Sequence, residues 1–262
     1  MHKYLYLLFA VICTPNLLFA KAPGNSGFYT WEGTIGENIP IFVWLSVHDS
    51  IMIGEITYKK KGSTIRLRGK NPGTVLEDFR EMFYGPAIYE FEPGGRITGM
   101  LIGRIGADSL VGKWWSTIRK KEYTLALHMK DTVLTSIDTS LVPEQIGGRY
   151  DFVMGNVGDE GHLNIRSVHG SKIVFDLVMV TANPVGHTAF LEKQTAIVDQ
   201  DHFTVHYDSN CIFTVWFCKD IAYIQYEKNK SECDFAGMGV EFDRIYLHRS
   251  RSRGGKNKNT KQ

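Results

Sequence analysis

Apolar side chains occupy every second position in several stretches of the first half of the chain. Residues 41–47 place isoleucine, valine and leucine at alternate positions, and residues 64–69 alternate Ile65 and Leu67 with arginines. Because successive side chains of a β-strand point to opposite faces, this period of two predicts half-buried strands. No segment shows the period of about 3.6 residues that marks an amphipathic helix. The sequence therefore predicts an all-β protein.

Short turn sequences separate these predicted strands, at residues 48–50, 59–63, 71–73, 92–96 and 106–109. Strands joined in this way are typical of an up-and-down antiparallel meander. Closing a meander into a barrel removes its exposed edge strands. We therefore expect residues 21–130 to form a first β domain, a meander closed into a barrel.

A second series of predicted strands begins at Gly148 and ends near residue 248. Residues 131–147, which contain Pro143 and lack a strong period, predict a linker between two domains. The second domain, residues 148–248, is expected to be an antiparallel barrel or sandwich. Residues 249–262 are rich in Arg, Lys, Ser and Gly and contain no acid, which predicts a disordered basic tail.

The N-terminus has the pattern of a secretory signal. Lys3 is followed by the apolar run 4–12 and a weaker apolar stretch that ends at the small residue Ala20. A short basic head, an apolar core and a small residue at the exit indicate a cleaved signal peptide, residues 1–20. A retained membrane anchor is the alternative. The prediction is an exported protein of the periplasm, the outer surface or the extracellular medium.

The charge of the chain is concentrated in its tail. The formal net charge is +2, yet six basic residues lie between Arg249 and Lys261. The remaining body is mildly acidic, which argues against a nucleic-acid partner. The tail itself suits weak contact with an anionic surface, or it has no partner at all.

Three cysteines follow the predicted signal peptide. Cys211 and Cys218 are predicted at opposite ends of one strand, and Lys219-Asp220 forms a turn into the next strand. The chain then returns past the open end of this hairpin before it reaches Cys233. We therefore expect a Cys211–Cys233 disulfide and a free, buried Cys218, with three reduced cysteines as the alternative.

Sequence motifs for catalysis are missing. The chain contains no nucleophile elbow, phosphate-binding glycine loop or metalloprotease His-Glu pair. His202 and His206 are four residues apart, but they flank a predicted strand, where side chains at that spacing are too far apart to share a metal ion. We predict no metal, no cofactor and no catalytic residue, and we expect a binding protein rather than an enzyme.

Two other features are candidate binding sites. Trp44, Trp114 and Trp115 are predicted to line a ligand cavity, because a barrel of about eight strands can hold one small ligand; burial in the core is the alternative. The glycine-rich turn 155–162 carries Asp159 and Glu160, an acidic loop that would suit the cleft of a cationic hydrolase. A plain hairpin loop is the alternative there.

The first half resembles a family of barrels. Over residues 28–129 the chain is similar to the meanders of avidins and lipocalins, which repeat short hairpins marked by Gly and Trp. The segments that carry this similarity are Trp31-Glu32-Gly33, Ile97-Thr98-Gly99 and residues 108–114. This resemblance implies a barrel around a ligand cavity and assigns no contact residue. The second half, with Gly161-His162-Leu163 and the late cysteine pair, is similar to exported bacterial β modules, some of them lysozyme-inhibitor-like.

These features lead to one principal functional expectation and two alternatives. The principal expectation is an exported, non-catalytic binding protein for a small hydrophobic or glycan ligand, or for an envelope or extracellular partner protein. The first alternative is an inhibitor of an exogenous hydrolase such as lysozyme. The second is an enzyme that acts on polysaccharide or lipid.

Overall fold

The structure is a computed structural model that describes residues 27–48, 51–70, 87–92, 95–105, 108–133, 146–182, 186–237 and 239–249. These residues form sixteen β-strands in two antiparallel sheets of eight strands each. The predicted all-β fold class is confirmed. The described part of the chain contains no helix long and apolar enough to cross a bilayer. The predicted signal peptide and all of the basic tail except Arg249 lie outside the described residues.

The first sheet is a closed up-and-down barrel. Its strands follow one another in sequence order, and β1 pairs with both β2 and β8. Their bounds are β1 Gly27–Ile35, β2 Ile39–His48, β3 Ile51–Tyr58, β4 Ser63–Lys70, β5 Ala87–Phe91, β6 Ile97–Ile105, β7 Ser109–Ser116 and β8 Lys121–Val133.

The interior of this barrel is filled by the alternating apolar positions that the sequence shows. Val43 and Leu45 of β2 are fully buried, as are Trp31 of β1, Leu67 of β4 and Leu127 of β8. These side chains belong to one apolar cluster, and such burial contributes roughly 1.5–3 kcal/mol for each large side chain. The last strand continues to Val133, opposite Phe28 of β1, so the first residues of the expected linker belong to β8.

The second sheet is a barrel that is nearly closed. Its strands are β9 Gly148–Val153, β10 Glu160–His169, β11 Lys172–Val180, β12 Thr188–Ile197, β13 His202–His206, β14 Cys211–Cys218, β15 Ile221–Ser231 and β16 Ile245–His248. They lie in the order β12-β11-β10-β9-β16-β15-β14-β13. The segment after β15 closes part of the gap between β12 and β13, since Gly237 donates to the carbonyl of Thr188 and Phe190 donates to that of Phe235.

The two barrels pack tightly against each other. Ile51, Ile53, Phe91 and Ile97 of the first barrel belong to the same apolar cluster as the core of the second. The junction also carries charge: Asp220, in the turn between β14 and β15, accepts hydrogen bonds from Arg66 and Arg68 of β4. The outer face of β3 to β5 in the first barrel therefore packs against the second barrel.

Candidate functional site

A pocket of about 500 Å³ opens at one mouth of the first barrel. It lies where the turns β1–β2, β3–β4 and β7–β8 meet, and the inward-facing ends of β3 to β8 form its wall and floor. Ligand pockets in proteins have volumes of about 300–1,000 Å³. The mouth of this barrel is therefore large enough for a small organic molecule.

Glu90 of β5 lies on the floor of this pocket and is only 3% exposed. Tyr58 Oη donates to Glu90 Oε2 at 2.5 Å, and Trp114 Nε1 donates to the same oxygen at 3.2 Å. Thr98 Oγ1 donates to Glu90 Oε1 at 2.8 Å. Among the described residues no Lys, Arg or His forms an ion pair with this carboxylate. The floor is thus a buried acid held by neutral donors.

A β-bulge and a glycine place two of these donors, Thr98 and Trp114. The β5–β6 register shifts between Glu90 and Phe91, which pair with Gly99 and Ile97, so Thr98 is the extra residue of a β-bulge. A bulge re-aims a side chain, and here it brings the Thr98 hydroxyl to Glu90. Gly99 makes room for the indole, because a Cβ at this position would lie 2.4 Å from Trp114 Nε1.

The wall of the pocket is aromatic and apolar. The rings of Trp114 and Tyr123 lie 5.6 Å apart between centroids and are tilted by 49°, and the phenol of Tyr58 completes this aromatic part of the lining. Ile65 and Ile118 add aliphatic surface. Such a surface binds a ligand by burying its apolar body, while the few polar groups fix its orientation.

The rim of the pocket is basic. Lys60 and Lys61 in the β3–β4 turn and Arg119 in the β7–β8 turn line the opening. None of the three forms a salt bridge with a described carboxylate. The site therefore has an acidic floor, an aromatic wall and a cationic rim.

Burial dominates the electrostatics of the floor. It raises the pKa of the Glu90 carboxyl, against the opposing effect of the hydrogen bonds from Tyr58, Thr98 and Trp114. Burial and the neighbouring Glu90 carboxylate also raise the pKa of Tyr58. The phenol therefore stays protonated and remains a donor to Glu90.

Replacing Glu90 with glutamine tests this description through the pH dependence of stability. The unfolded chain loses the Glu90 proton near the ordinary pKa of about 4.3, whereas the folded chain holds it to higher pH. The wild type therefore loses stability as pH rises from the unfolded pKa to the folded one, and Glu90→Gln does not. Urea unfolding across this range should show the variant gaining stability relative to the wild type as pH rises. If the difference in stability between the two proteins stays constant with pH, the pKa of the Glu90 carboxyl is not raised by burial.

The turn between β9 and β10 supports the rim from the second barrel. Asn156 Nδ2 donates to the carbonyl of Ile118 at 2.9 Å, and its backbone N–H donates to that of Thr117. Arg96 donates in turn to Asn156 Oδ1. Gly155 has a φ of 50°, and a Cβ there would lie 2.1 Å from Thr117 Oγ1. This turn therefore holds the β7–β8 hairpin that carries Ile118 and Arg119.

The acidic loop proposed from sequence includes this supporting turn. Asp159 Oδ1 accepts a hydrogen bond from the backbone N–H of Ala182 at 2.8 Å, which ties the loop to the segment after β11. Glu160 is exposed at the start of β10. The first part of the loop packs on the other barrel, and its inhibitory role stays a prediction.

The structure separates the three tryptophans that the sequence grouped in one cavity. Trp114 points into the first barrel and lines the pocket. Trp115, the next residue, packs against the apolar cluster shared with the second barrel. Trp44 lies on the outer face of β2, stacked on Phe28 and bonded to Glu55 Oε2. Of the three, only Trp114 belongs to the pocket.

The cysteine prediction is confirmed: Cys211 and Cys233 form a disulfide, and Cys218 is free and buried. Burial raises the pKa of the Cys218 thiol to about 11, which keeps it protonated and unreactive at neutral pH. His202 and His206 lie at the two ends of strand β13, as expected. In the described ranges no three His, Cys, Asp or Glu side chains converge in a way that suits a metal ion.

Glu90 is the central residue that sequence reasoning missed. A signal was present, because Glu90 stands two residues after Ile88 in the strand Ala87–Phe91 and so shares its inward face. An acid at an inward position of an otherwise apolar strand is rarely buried without a reason.

Comparison with known proteins adds no identity. No protein-family model, curated protein or solved structure matches this chain. The closed first barrel agrees with the barrel shape that the resemblance to avidin and lipocalin meanders implied, and the likeness is carried no further than that shape.

Proposed function

We propose that this protein binds a small organic molecule in the mouth of its first barrel, as an exported, non-catalytic binding protein. The observation that carries the proposal is Glu90, a carboxylate buried on the floor of an aromatic pocket without a cationic partner among the described residues. Export is supported by the signal-like N-terminal sequence and by the Cys211–Cys233 disulfide, since disulfides persist in oxidising compartments.

The stability of the barrel gives no reason to retain an acid at this position. Burying a carboxylate costs free energy even when neutral donors surround it, and an apolar side chain at position 90 would extend the core formed by Ile88 and its neighbours. Residues that break a local packing rule in this way are typical of functional sites. The supporting network of Tyr58, Thr98 and Trp114 fixes the orientation of the carboxylate, as a binding group requires.

A thermal-shift screen of small polar and amphipathic molecules tests the proposal, with two matched variants. Glu90→Gln removes the charge on the floor but keeps a side chain that can accept from Tyr58 and Trp114 and donate to Thr98 Oγ1. Glu55→Gln makes the same change on the outer face, where Glu55 accepts from Trp44 Nε1 at 3.1 Å.

Compounds that bind the pocket should raise the melting temperature of the wild type and of Glu55→Gln, and should raise that of Glu90→Gln much less. At a concentration about one hundred times Kd, binding stabilises the folded state by about 2.7 kcal/mol, which is easily measured. Compounds that stabilise all three proteins equally bind elsewhere. If every stabilising compound behaves in that way, the barrel mouth is not the site.

A further inference from the structure

We propose that the ligand of the barrel mouth is a small organic zwitterion, with its ammonium group against Glu90, Trp114 and Tyr123 and its acidic group against Lys60, Lys61 and Arg119. This inference rests on the proposed function and adds the chemical class of the ligand. Its basis is the order of charges along the pocket: a single acid at the floor, neutral aromatic rings along the wall and three cations at the rim.

The floor suits an ammonium group for two reasons. An ionised carboxylate has about four acceptor sites, and Tyr58, Thr98 and Trp114 occupy three of them, which leaves about one for a ligand donor. The faces of Trp and Tyr rings also attract organic cations, as in the aromatic cages that bind alkylammonium groups. Trp114 and Tyr123, tilted at 49° to each other, provide two such rings beside the acid.

The rim sets the second requirement. A ligand with a cation alone would meet Lys60, Lys61 and Arg119 on entry, and these three would repel it. A ligand with an acid alone would pair with the rim but leave the Glu90 charge buried and unpaired. A zwitterion satisfies both ends. Arg119 presents a planar fork suited to a carboxylate or phosphate oxyanion.

The probes are straight-chain ω-amino acids of increasing length, compared with the alkylamine and the fatty acid of the same chain length. Isothermal titration should give measurable binding for the amino acid whose length matches the distance from floor to rim. Both single-charge analogues should bind more weakly by roughly tenfold or more, since each leaves one end of the pocket unpaired.

Variants then assign each end. Glu90→Gln should weaken binding of the amino acid by roughly tenfold or more and should leave the affinity for the fatty acid equal or higher. Arg119→Gln should weaken the amino acid a few-fold, since an exposed pair contributes less. Lys121→Gln, a change in an exposed residue at the start of β8 outside the pocket, should have no effect.

Three results would overturn the inference. The first is an alkylamine or a fatty acid that binds as tightly as its amino acid. The second is equal weakening by Arg119→Gln and Lys121→Gln. The third is a set of amino acids that fail to bind while other compounds bind in a Glu90-dependent way, which would leave the pocket as a ligand site and reject the zwitterion. Failure of every compound in both experiments would instead reject the binding function itself.

Discussion

Replacing Asp220 with asparagine is expected to destabilise the protein by roughly 3–5 kcal/mol, the cost of leaving a buried charge without its partner. Asp220 Oδ1 accepts from Arg68 Nε at 2.9 Å, and Oδ2 accepts from Arg68 at 3.0 Å and from Arg66 at 2.9 Å. The Arg68 side chain is 8% exposed. The substitution removes the anion while the guanidinium stays enclosed between the barrels.

The same contact predicts a pH dependence. Burial opposes ionisation of Asp220, but the hydrogen bonds and charges of Arg68 and Arg66 outweigh it and lower the pKa of the carboxyl. A carboxyl with a lowered folded pKa stabilises the protein above its unfolded pKa, and that contribution is lost as pH falls through the folded pKa. The stability gap between the wild type and Asp220→Asn should therefore narrow in acid.

A surface triad on the first barrel provides the matched control. Glu32 forms ion pairs with Lys59 and Lys130, so it too is one carboxylate between two cations, but all three side chains are at least one-third exposed. Glu32→Gln should cost no more than about 1 kcal/mol. Urea unfolding measures the loss of stability in Asp220→Asn and in Glu32→Gln. Equal losses would show that the contact between the barrels stabilises the protein no more than a surface ion pair does.

Breaking the Cys211–Cys233 disulfide is expected to cost about 3 kcal/mol, because the bridge closes a loop with a sequence separation of 22. The bridge also anchors the segment that covers the gap in the second barrel. Phe235 of that segment packs against Tyr207 and Phe242, each with ring centroids 5.0 Å away. Unfolding of Cys211→Ser/Cys233→Ser, or of the wild type under a thiol reductant, should show this loss.

Cys218 supplies the control for the disulfide experiment. Because its thiol is free and buried, Cys218→Ala should remain as sensitive to reductant as the wild type. Loss of that sensitivity in Cys218→Ala, or its persistence in the double serine variant, would contradict the observed pairing.

Sequence patterns predicted the local structure of this chain well. The period of two over residues 41–47 identifies β2, and the Lys219-Asp220 turn together with the returning chain identifies the hairpin that the disulfide closes. These features depend on contacts between neighbouring segments.

The sequence did not predict the side-chain contacts between strands that are distant in the chain. Glu90 acquires its role from Tyr58, Thr98 and Trp114, which lie on three other strands, and the Thr98 bulge is invisible without the register. Trp44 and Trp114 have similar partners, since each indole donates a hydrogen bond to a glutamate. Only the closed barrel shows that one of them lies outside and the other inside.

Contacts between the barrels were equally hidden. Arg66 and Arg68 alternate with Ile65 and Leu67, a pattern that indicates a solvated outer face. In the structure Arg68 is instead enclosed, because Asp220 and the second barrel cover that face of β4. A polar outer face that meets another domain cannot be distinguished from one that meets water by a single-strand pattern.

The most direct test of a ligand site built around Glu90 is native mass spectrometry of the wild type, Glu55→Gln and Glu90→Gln after incubation with a small-molecule extract of the source cells and their medium. One additional small mass is expected on the wild type and on Glu55→Gln, lost on denaturation and absent or strongly reduced on Glu90→Gln. The same adduct on all three proteins, or on none of them, would contradict a ligand site built around Glu90.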